Sequence, residues 1–122
     1  MNHQGGILGG IRELCVLFST QCEDKATLEQ LIGMVDDRSR WRGAHNLFQQ
    51  IRAKTLKAEA HKDKRAQHQY CFEEVCAKAL YNLSGEPAPF DADSPYWIVP
   101  NALKLARVVG IDESAITRIV AG

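Results

Sequence analysis

The chain has 122 residues, of which 45% are hydrophobic and 25% charged, and these ordinary globular values exclude wholesale disorder. Its formal net charge is zero, so no overall field attracts a polyanionic or polycationic partner. No stretch approaches the roughly eighteen continuous apolar residues of a membrane span, so we expect no membrane insertion. The length fits a single helical domain over residues 11–122, preceded by a flexible N-terminus over residues 1–10.

The four cysteines indicate the redox state of the compartment in which the protein is found. We expect no signal peptide, because residues 1–10 lack a basic start and a long apolar run. Free cysteine among apolar helical neighbours behaves as a small hydrophobe. We therefore expect reduced thiols in a cytoplasmic protein rather than a disulfide framework. The four positions are Cys15, Cys22, Cys71 and Cys76.

The N-terminal third predicts two helices. Four glycines in residues 1–10 delay the first helix until about Ile11. The second helix has Asp24 or Thr27 as its cap, since Thr27 and Gln30 have capping-box spacing, and it should stop by Asp36 or Asp37. The apolar faces of the two helices are Leu14, Cys15, Leu17, Phe18 and Cys22, then Leu28, Leu31, Ile32 and Val35.

The centre of the chain, residues 44–84, contains no Gly or Pro. Ser39 can cap a helix here, although Gly43 weakens its start by up to about 1 kcal/mol relative to Ala. Residues 57–69 have small or polar side chains on every face but high helix propensity, so local preference favours one continuous helix. Such a helix would be about 60 Å long, and its uncovered apolar ends predict a homodimer. The alternative is an antiparallel hairpin turning around residues 61–64, where Asp63 is the only good turn residue.

The C-terminal third begins with a helix stop at Gly85, followed by an acidic, proline-rich loop over residues 86–94. Ser94 and Pro95 can begin a new helical turn, and the apolar run over residues 96–99 is expected in the core. Pro100 suits a first turn, and the helix through Leu103, Ala106 and Val109 should end at Gly110. A last short helix would bury Ile116, Ile119 and Val120.

Together these elements predict an all-α fold, a bundle of about five helices built around a long central helix or helical hairpin. The residues expected in its core are Trp41, Phe48, Ile51, Phe72, Val75, Leu80, Trp97 and Ile116.

The basic residues are unevenly distributed. Between residues 38 and 65 lie nine of the fifteen Lys and Arg, against only Glu59 and Asp63. Such a segment can neutralise phosphates, or it can pair with the acidic remainder of the chain or of a second subunit. No aromatic residue lies between Ile51 and Tyr70, so a stacking platform for single strands is not indicated. The basic segment comprises Arg38, Arg40, Arg42, Arg52, Lys54, Lys57, Lys62, Lys64 and Arg65.

The sequence contains only weak signals for a metal site or a catalytic site. His61, His68 and Cys71 have helical spacings that allow two or three ligands to converge, but no CxxC, HxxxH or ExxH pair occurs. Asp91 and Asp93 match only the opening of a calcium loop. His68 lies one turn from Cys71, yet packing is the commoner use of such cysteines. We predict no catalytic residue, no metal site and no cofactor.

A family pattern occurs in the C-terminal segment, residues 102–122, whose sequence is ALKLARVVGIDESAITRIVAG. Ala106 stands where two helices approach closely, Gly110 lies in the turn with Ile111 after it, and Ile116 and Ile119 face inward. In this pattern the segment resembles the helix-turn-helix unit of repressors of the lac and lambda type. The resemblance implies that the second helix enters the major groove of DNA. The outward residues would then be Glu113, Ser114, Thr117 and Arg118.

The leading hypothesis from the sequence is a non-enzymatic helical module for protein interaction and oligomerisation, because no catalytic constellation outweighs ordinary packing. The alternative is a DNA-binding regulator that uses residues 102–122. A small enzyme or metal-binding protein is the second alternative.

Overall fold

The computed structural model describes residues 3–86 and 94–121, and it confirms the all-α class, with no strand in these two ranges. Six α-helices and two short 3-10 helices follow one another along this part of the chain. They are α1 (His3–Ser19), α2 (Ala26–Val35), a first 3-10 helix (Arg38–Gly43), α3 (Ala44–Ala60), α4 (Lys64–Leu83), a second 3-10 helix (Ser94–Trp97), α5 (Ile98–Val109) and α6 (Glu113–Ala121).

Helix α4 is the centre of the bundle, since α2, α3, α5 and both 3-10 helices pack against it. The favoured prediction of one continuous helix over residues 44–84 is wrong, and the hairpin alternative is the observed one. Helices α3 and α4 form the most extensive helix–helix contact in the described chain. The apolar face of α3, with Leu47 and Ile51, is buried within the same chain rather than against a second copy.

The hairpin turn reverses the chain without a glycine. Lys62 adopts the left-handed conformation, with φ at 56°, immediately after the last turn of α3. The N–H of Asp63 then donates to the carbonyl of Ala58 at 3.0 Å, which closes the helix end in the manner of a Schellman motif. The Asp63 carboxylate accepts from the N–H of Ala66 at 3.1 Å and so caps the start of α4.

The core is continuous between the two halves of the chain. Phe18 of α1 meets Phe72 of α4 edge to face, with ring centroids 4.9 Å apart, and both rings are fully buried. Trp41 is buried as predicted, and its indole N–H donates to the carbonyl of Met34 at 2.9 Å. The predicted core residues Ile51, Leu80 and Ile116 are also buried, whereas Phe48 and Val75 are half-buried and pack against the core.

The N-terminal half differs from the prediction at three helix starts. Helix α1 begins at His3 rather than near Ile11, and Leu8 packs against the core, which offsets the low helix propensity of the glycines. Thr27 lies buried inside α2 rather than at its cap. Ser39 lies inside the first 3-10 helix, where Asp37 accepts from its N–H at 3.2 Å, so it does not cap α3.

The C-terminal third confirms both predicted glycine stops, since Gly85 and Gly110 have φ of 84° and 83°. The acidic, proline-rich loop with Asp91 and Asp93 lies outside the described residues, apart from its two ends. Three burial predictions are wrong, because Tyr96 is 80% exposed, Trp97 is 54% exposed and Val120 is 42% exposed. The four apolar residues 96–99 cannot all face one side of a helical turn, and Ile98 is the one that is buried.

Candidate functional site

The basic segment does not form one face. It runs through the first 3-10 helix, α3, the hairpin turn and the first turn of α4, and five of its nine residues have partners within the chain. Arg42, Arg52 and Lys54 pair with Glu86, Glu74 and Asp24, Arg38 lies 5.5 Å from the Trp41 ring centroid, and Arg65 donates to the carbonyl of Gln21 at 2.8 Å. Among the described residues, Arg40, Lys57, Lys62 and Lys64 make no ion pair, so unpaired positive charge is concentrated near the hairpin turn.

A polar cleft lies beside the hairpin turn, between the ends of α3 and α4 and the connection from α1 to α2. It consists of two adjoining cavities of about 350 and 410 Å³. Asp24, Asp63, Ala66 and Tyr70 line both cavities. Volumes of this size fall within the range of small-ligand pockets.

Asp24 is the hydrogen-bonding centre of this cleft. Its Oδ2 accepts from Lys54 Nζ at 3.0 Å and from Tyr70 Oη at 2.9 Å. Its backbone carbonyl accepts from Gln69 Nε2 at 2.7 Å. Lys54 also donates to Thr27 Oγ1 at 3.3 Å. One acidic residue in the connection therefore joins α3 and α4 to the α1–α2 pair.

These contacts determine the ionisation states of Asp24 and Tyr70. Partial burial raises the pKa of Asp24, but the hydrogen bonds from Lys54 and Tyr70 outweigh it and hold the pKa below its ordinary value. Burial and the hydrogen bond to Asp24 raise the pKa of Tyr70. At neutral pH the cleft therefore contains an ionised carboxylate and a neutral phenol that donates to it.

Glu73 lies behind Gln69 and is fully buried. Its Oε2 accepts from Gln69 Nε2 at 2.8 Å, whereas its Oε1 has no hydrogen-bond partner among the described residues. Burial raises the pKa of Glu73 to about 7, even though Gln69 and the charge of Lys54 act to lower it. A carboxyl group in this position is close to half-protonated at neutral pH.

The sequence did not single out Asp24, Gln69, Tyr70 or Glu73 for function. A signal for two of them was present, because Gln69 and Glu73 are four residues apart and precede Cys76 and Leu80 at helical spacing. Polar residues in line with a buried apolar face indicate an internal polar contact. The partners Asp24 and Lys54 are distant in sequence and required the tertiary structure.

The weak metal candidates do not form a site. His61 is exposed at the end of α3, and His68 and Cys71 are half-buried on α4. In the described parts of the chain no group of three His, Cys, Asp or Glu side chains is arranged to hold a metal ion. All four cysteines are free thiols, and burial raises the pKa of Cys22, Cys71 and Cys76, which makes these thiols poor nucleophiles.

The segment that resembles a helix-turn-helix unit consists of α5, a tight turn and α6. Gly110 ends α5 in the left-handed conformation, and the N–H of Ile111 donates to the carbonyl of Ala106 at 2.9 Å. Asp112 accepts from the N–H of Ser114 at 3.0 Å at the start of α6. Ile116 is buried, and α6 packs on both α5 and α1.

The outward face of α6 has the exposure that the resemblance implies. Glu113, Ser114, Thr117 and Arg118 are all exposed. Glu113 forms an ion pair with Arg107 of α5, which offsets its negative charge. Thr117 Oγ1 donates to the carbonyl of Glu113 at 3.2 Å, so its side chain is bonded within its own helix.

An exposed aromatic pair, Tyr96 and Trp97, lies on the second 3-10 helix. Tyr96 is 80% exposed and Trp97 is 54% exposed. This 3-10 helix packs against α4 and α5, and Asn101 Nδ2 donates to the carbonyl of Trp97 at 2.7 Å. The two rings therefore stand on a supported backbone. We refer to them as the aromatic surface.

Comparisons with known proteins do not assign the chain to a family. Protein-family models, curated protein sequences and solved structures all gave no match to it. Among the helices of the described ranges, none combines the length and the apolar character needed to cross a membrane. The case for a function therefore rests on the contacts of this chain alone.

Proposed function

We propose that this protein is a non-enzymatic module for protein interaction and self-association, and that its contact surface is the aromatic surface formed by Tyr96 and Trp97. The observation that carries the proposal is the exposure of two adjacent large aromatic rings on a supported backbone. Tyr and Trp are enriched among the residues that dominate binding energy at interfaces, because they bury a large area with little loss of side-chain freedom.

We favour a second copy of the chain as the binding partner of the aromatic surface. A formal net charge of zero means that two copies do not repel one another as they approach. The long helix that first predicted a dimer is absent, since the hairpin buries those faces internally. The prediction of a homodimer now rests on the aromatic surface and not on a long helix.

Sedimentation equilibrium of the full chain tests this proposal. We expect a concentration-dependent dimer mass that is lost in the variant Tyr96→Ser with Trp97→Ser. Leu56→Ser is the matched control, because Leu56 is also 54% exposed but lies on α3. A monomer mass at all concentrations up to the millimolar range, or an equal loss of dimer in the control, contradicts self-association through the aromatic surface.

DNA binding through residues 102–122 is the second candidate. The observation that favours it is the outward exposure of Ser114, Thr117 and Arg118 on a helix that follows a tight glycine turn. In this proposal α6 enters the major groove. The unpaired cations Lys57 and Lys64 supply sequence-independent attraction to phosphates.

Selection of binding sites from a random duplex pool tests the second candidate. Arg118→Ala removes a base-reading side chain and should cost roughly 1–3 kcal/mol for the preferred site only. Lys57→Ala and Lys64→Ala each remove one phosphate-binding cation, and each should lower the slope of log affinity against log salt by about 0.9. A pool without enrichment, or enrichment unchanged by Arg118→Ala, contradicts DNA reading.

A further inference from the structure

Glu73 is a buried titratable group that belongs neither to the aromatic surface nor to α6. Its side chain is fully buried and forms no ion pair in the part of the chain that the structure describes. Oε2 accepts from Gln69 Nε2 at 2.8 Å, whereas Oε1 has no partner among the described residues. An ionised carboxylate with one unpartnered oxygen is costly in such a site, and the protonated group is tolerated far better. Ionisation of Glu73 therefore favours any movement that brings water to it.

Gln69 and Cys22 border both Glu73 and the polar cleft. They line the cavity of about 350 Å³, and they are only 5% and 2% exposed. Gln69 is bonded to Glu73, and burial together with the charge of Glu73 raises the pKa of Cys22. Cys22 belongs to the connection between α1 and α2, residues 20–25. Movement of this connection away from α4 would open a path for water from the cavity to Glu73.

The α1–α2 connection is attached to α4 through the same Gln69. Its Nε2 donates to the carbonyl of Asp24 at 2.7 Å as well as to Glu73. Tyr70 Oη adds a bond to the Asp24 carboxylate at 2.9 Å. Hydrogen bonds to an ionised acceptor are shorter and stronger than those to a neutral one. Ionisation of Glu73 therefore draws the Gln69 amide toward it and weakens the contact between Gln69 and the connection.

The charged groups around Glu73 do not compensate a negative charge there. Lys54 of α3 is the cation that acts on Glu73, and it is already paired with Asp24 at 3.0 Å. Asp24 and Glu74 are acidic and oppose a further negative charge. The other titratable groups that face Glu73 stay neutral around pH 7, because burial raises the pKa of each. They are Cys22, Tyr70 and Cys76.

From these contacts we propose that ionisation of Glu73 releases the α1–α2 connection from α4, admits water from the cavity to the carboxylate and exposes the Cys22 thiol. The protonated group keeps the connection closed. Burial raises the pKa of Glu73 to about 7 in the closed form, whereas a hydrated carboxyl group returns to about 4.5. The equilibrium constant for opening should then rise about tenfold between pH 6 and pH 8.

Site-resolved thiol labelling tests the proposal. The full chain would react with N-ethylmaleimide at pH 6, 7 and 8, and mass spectrometry of its peptides would give separate rates for Cys22 and Cys76. Each rate is divided by the rate of the same cysteine in the urea-unfolded chain, which removes the intrinsic pH dependence of the thiol. We expect the resulting opening constant of Cys22 to exceed that of Cys76, because local opening exposes Cys22 alone. We also expect it to rise about tenfold from pH 6 to pH 8.

Variants assign the effect to Glu73. Glu73→Gln should make the opening constant of Cys22 independent of pH, and the exposed Glu59→Gln is the matched control that should keep the tenfold rise. Gln69→Ala removes the bond to the Asp24 carbonyl and should raise the opening constant at pH 6. The wild-type measurement remains decisive even where Glu73→Gln does not fold. Equal opening constants for Cys22 and Cys76, a constant value for Cys22 between pH 6 and pH 8, or an undiminished rise in Glu73→Gln would overturn the proposal.

Discussion

Gln69 and Glu73 form a buried side-chain hydrogen bond along α4, with Nε2 of Gln69 2.8 Å from Oε2 of Glu73. The same Gln69 nitrogen donates to the Asp24 carbonyl, so the pair connects the core to the polar cleft. It leaves Oε1 of Glu73 without a described partner, which makes the ionised form costly in this site.

The first prediction follows from that cost. The folded chain holds the Glu73 proton up to about pH 7, whereas the unfolded chain releases it near pH 4.5. Between these values the folded state binds more protons, so the stabilisation is complete below about pH 4.5 and is lost as the pH rises to 7. The loss is on the order of 3 kcal/mol. Urea unfolding at pH 5 and pH 8 measures it.

Glu73→Gln should remove this dependence, because an amide of the same shape does not ionise. We expect the variant to be more stable than the wild type at pH 8, by on the order of 2 kcal/mol. Glu59→Gln, at an exposed position of α3, is the control and should change little. Equal stability of the wild type at pH 5 and pH 8 would show that Glu73 is not the titrating group. Asp24 acts at lower pH, because its folded-state pKa lies below the ordinary value of 3.8: its stabilisation is present above that value and is lost as the pH falls below it.

The second prediction concerns the hairpin turn. Lys62 has a left-handed backbone that costs an ordinary residue about 1 kcal/mol. Lys62→Gly should therefore raise stability by about 0.5–1 kcal/mol, whereas Lys64→Gly, inside the first turn of α4, should lower it by a similar amount. Asp63→Ala removes the cap and should lower stability by about 1 kcal/mol. Thermal unfolding of the three variants gives the sign of each change in stability. Destabilisation by Lys62→Gly would contradict the left-handed conformation of Lys62 in the hairpin turn.

The third prediction compares two glycines with equal space around them. A Cβ at Gly110 or at Gly43 would meet nothing within 4 Å, so only the backbone distinguishes the two positions. Gly110→Ala should cost about 1 kcal/mol because its φ is 83°. Gly43→Ala should gain about 0.5 kcal/mol because its φ of −67° suits alanine. Chemical denaturation measures both changes, and a loss of similar size in both variants would be the contrary result.

The fourth prediction tests the contact between the two halves of the core. Phe72→Ala removes the edge-to-face contact with Phe18 and leaves a cavity, so we expect a loss of about 3–5 kcal/mol. Leu56→Ala, at an exposed apolar position, should stay within about 0.5 kcal/mol of the wild type. If urea unfolding gave similar losses for the two variants, Phe72 would not be a core residue in solution.

The helical class, the glycine stops and most buried positions were predictable from the sequence, because each depends on local features. Gly85 and Gly110 end helices through backbone conformations that disfavour other residues, and the spacing of Leu28, Leu31 and Val35 follows the period of one helix. Free cysteines among apolar neighbours were also a local inference.

The chain reversal at residues 61–63 is determined by tertiary packing and not by local helix propensity. Propensity favours continuing the helix there, and Lys62 gives no sign of a left-handed turn, but packing α3 against α4 buries the apolar faces of both. The same is true of the cleft, where Asp24 meets Lys54 and Tyr70 across 30 and 46 residues of chain. Periodicity along one helix shows which side is buried. It does not show which distant side chain lies opposite, because that depends on how the helices pack together.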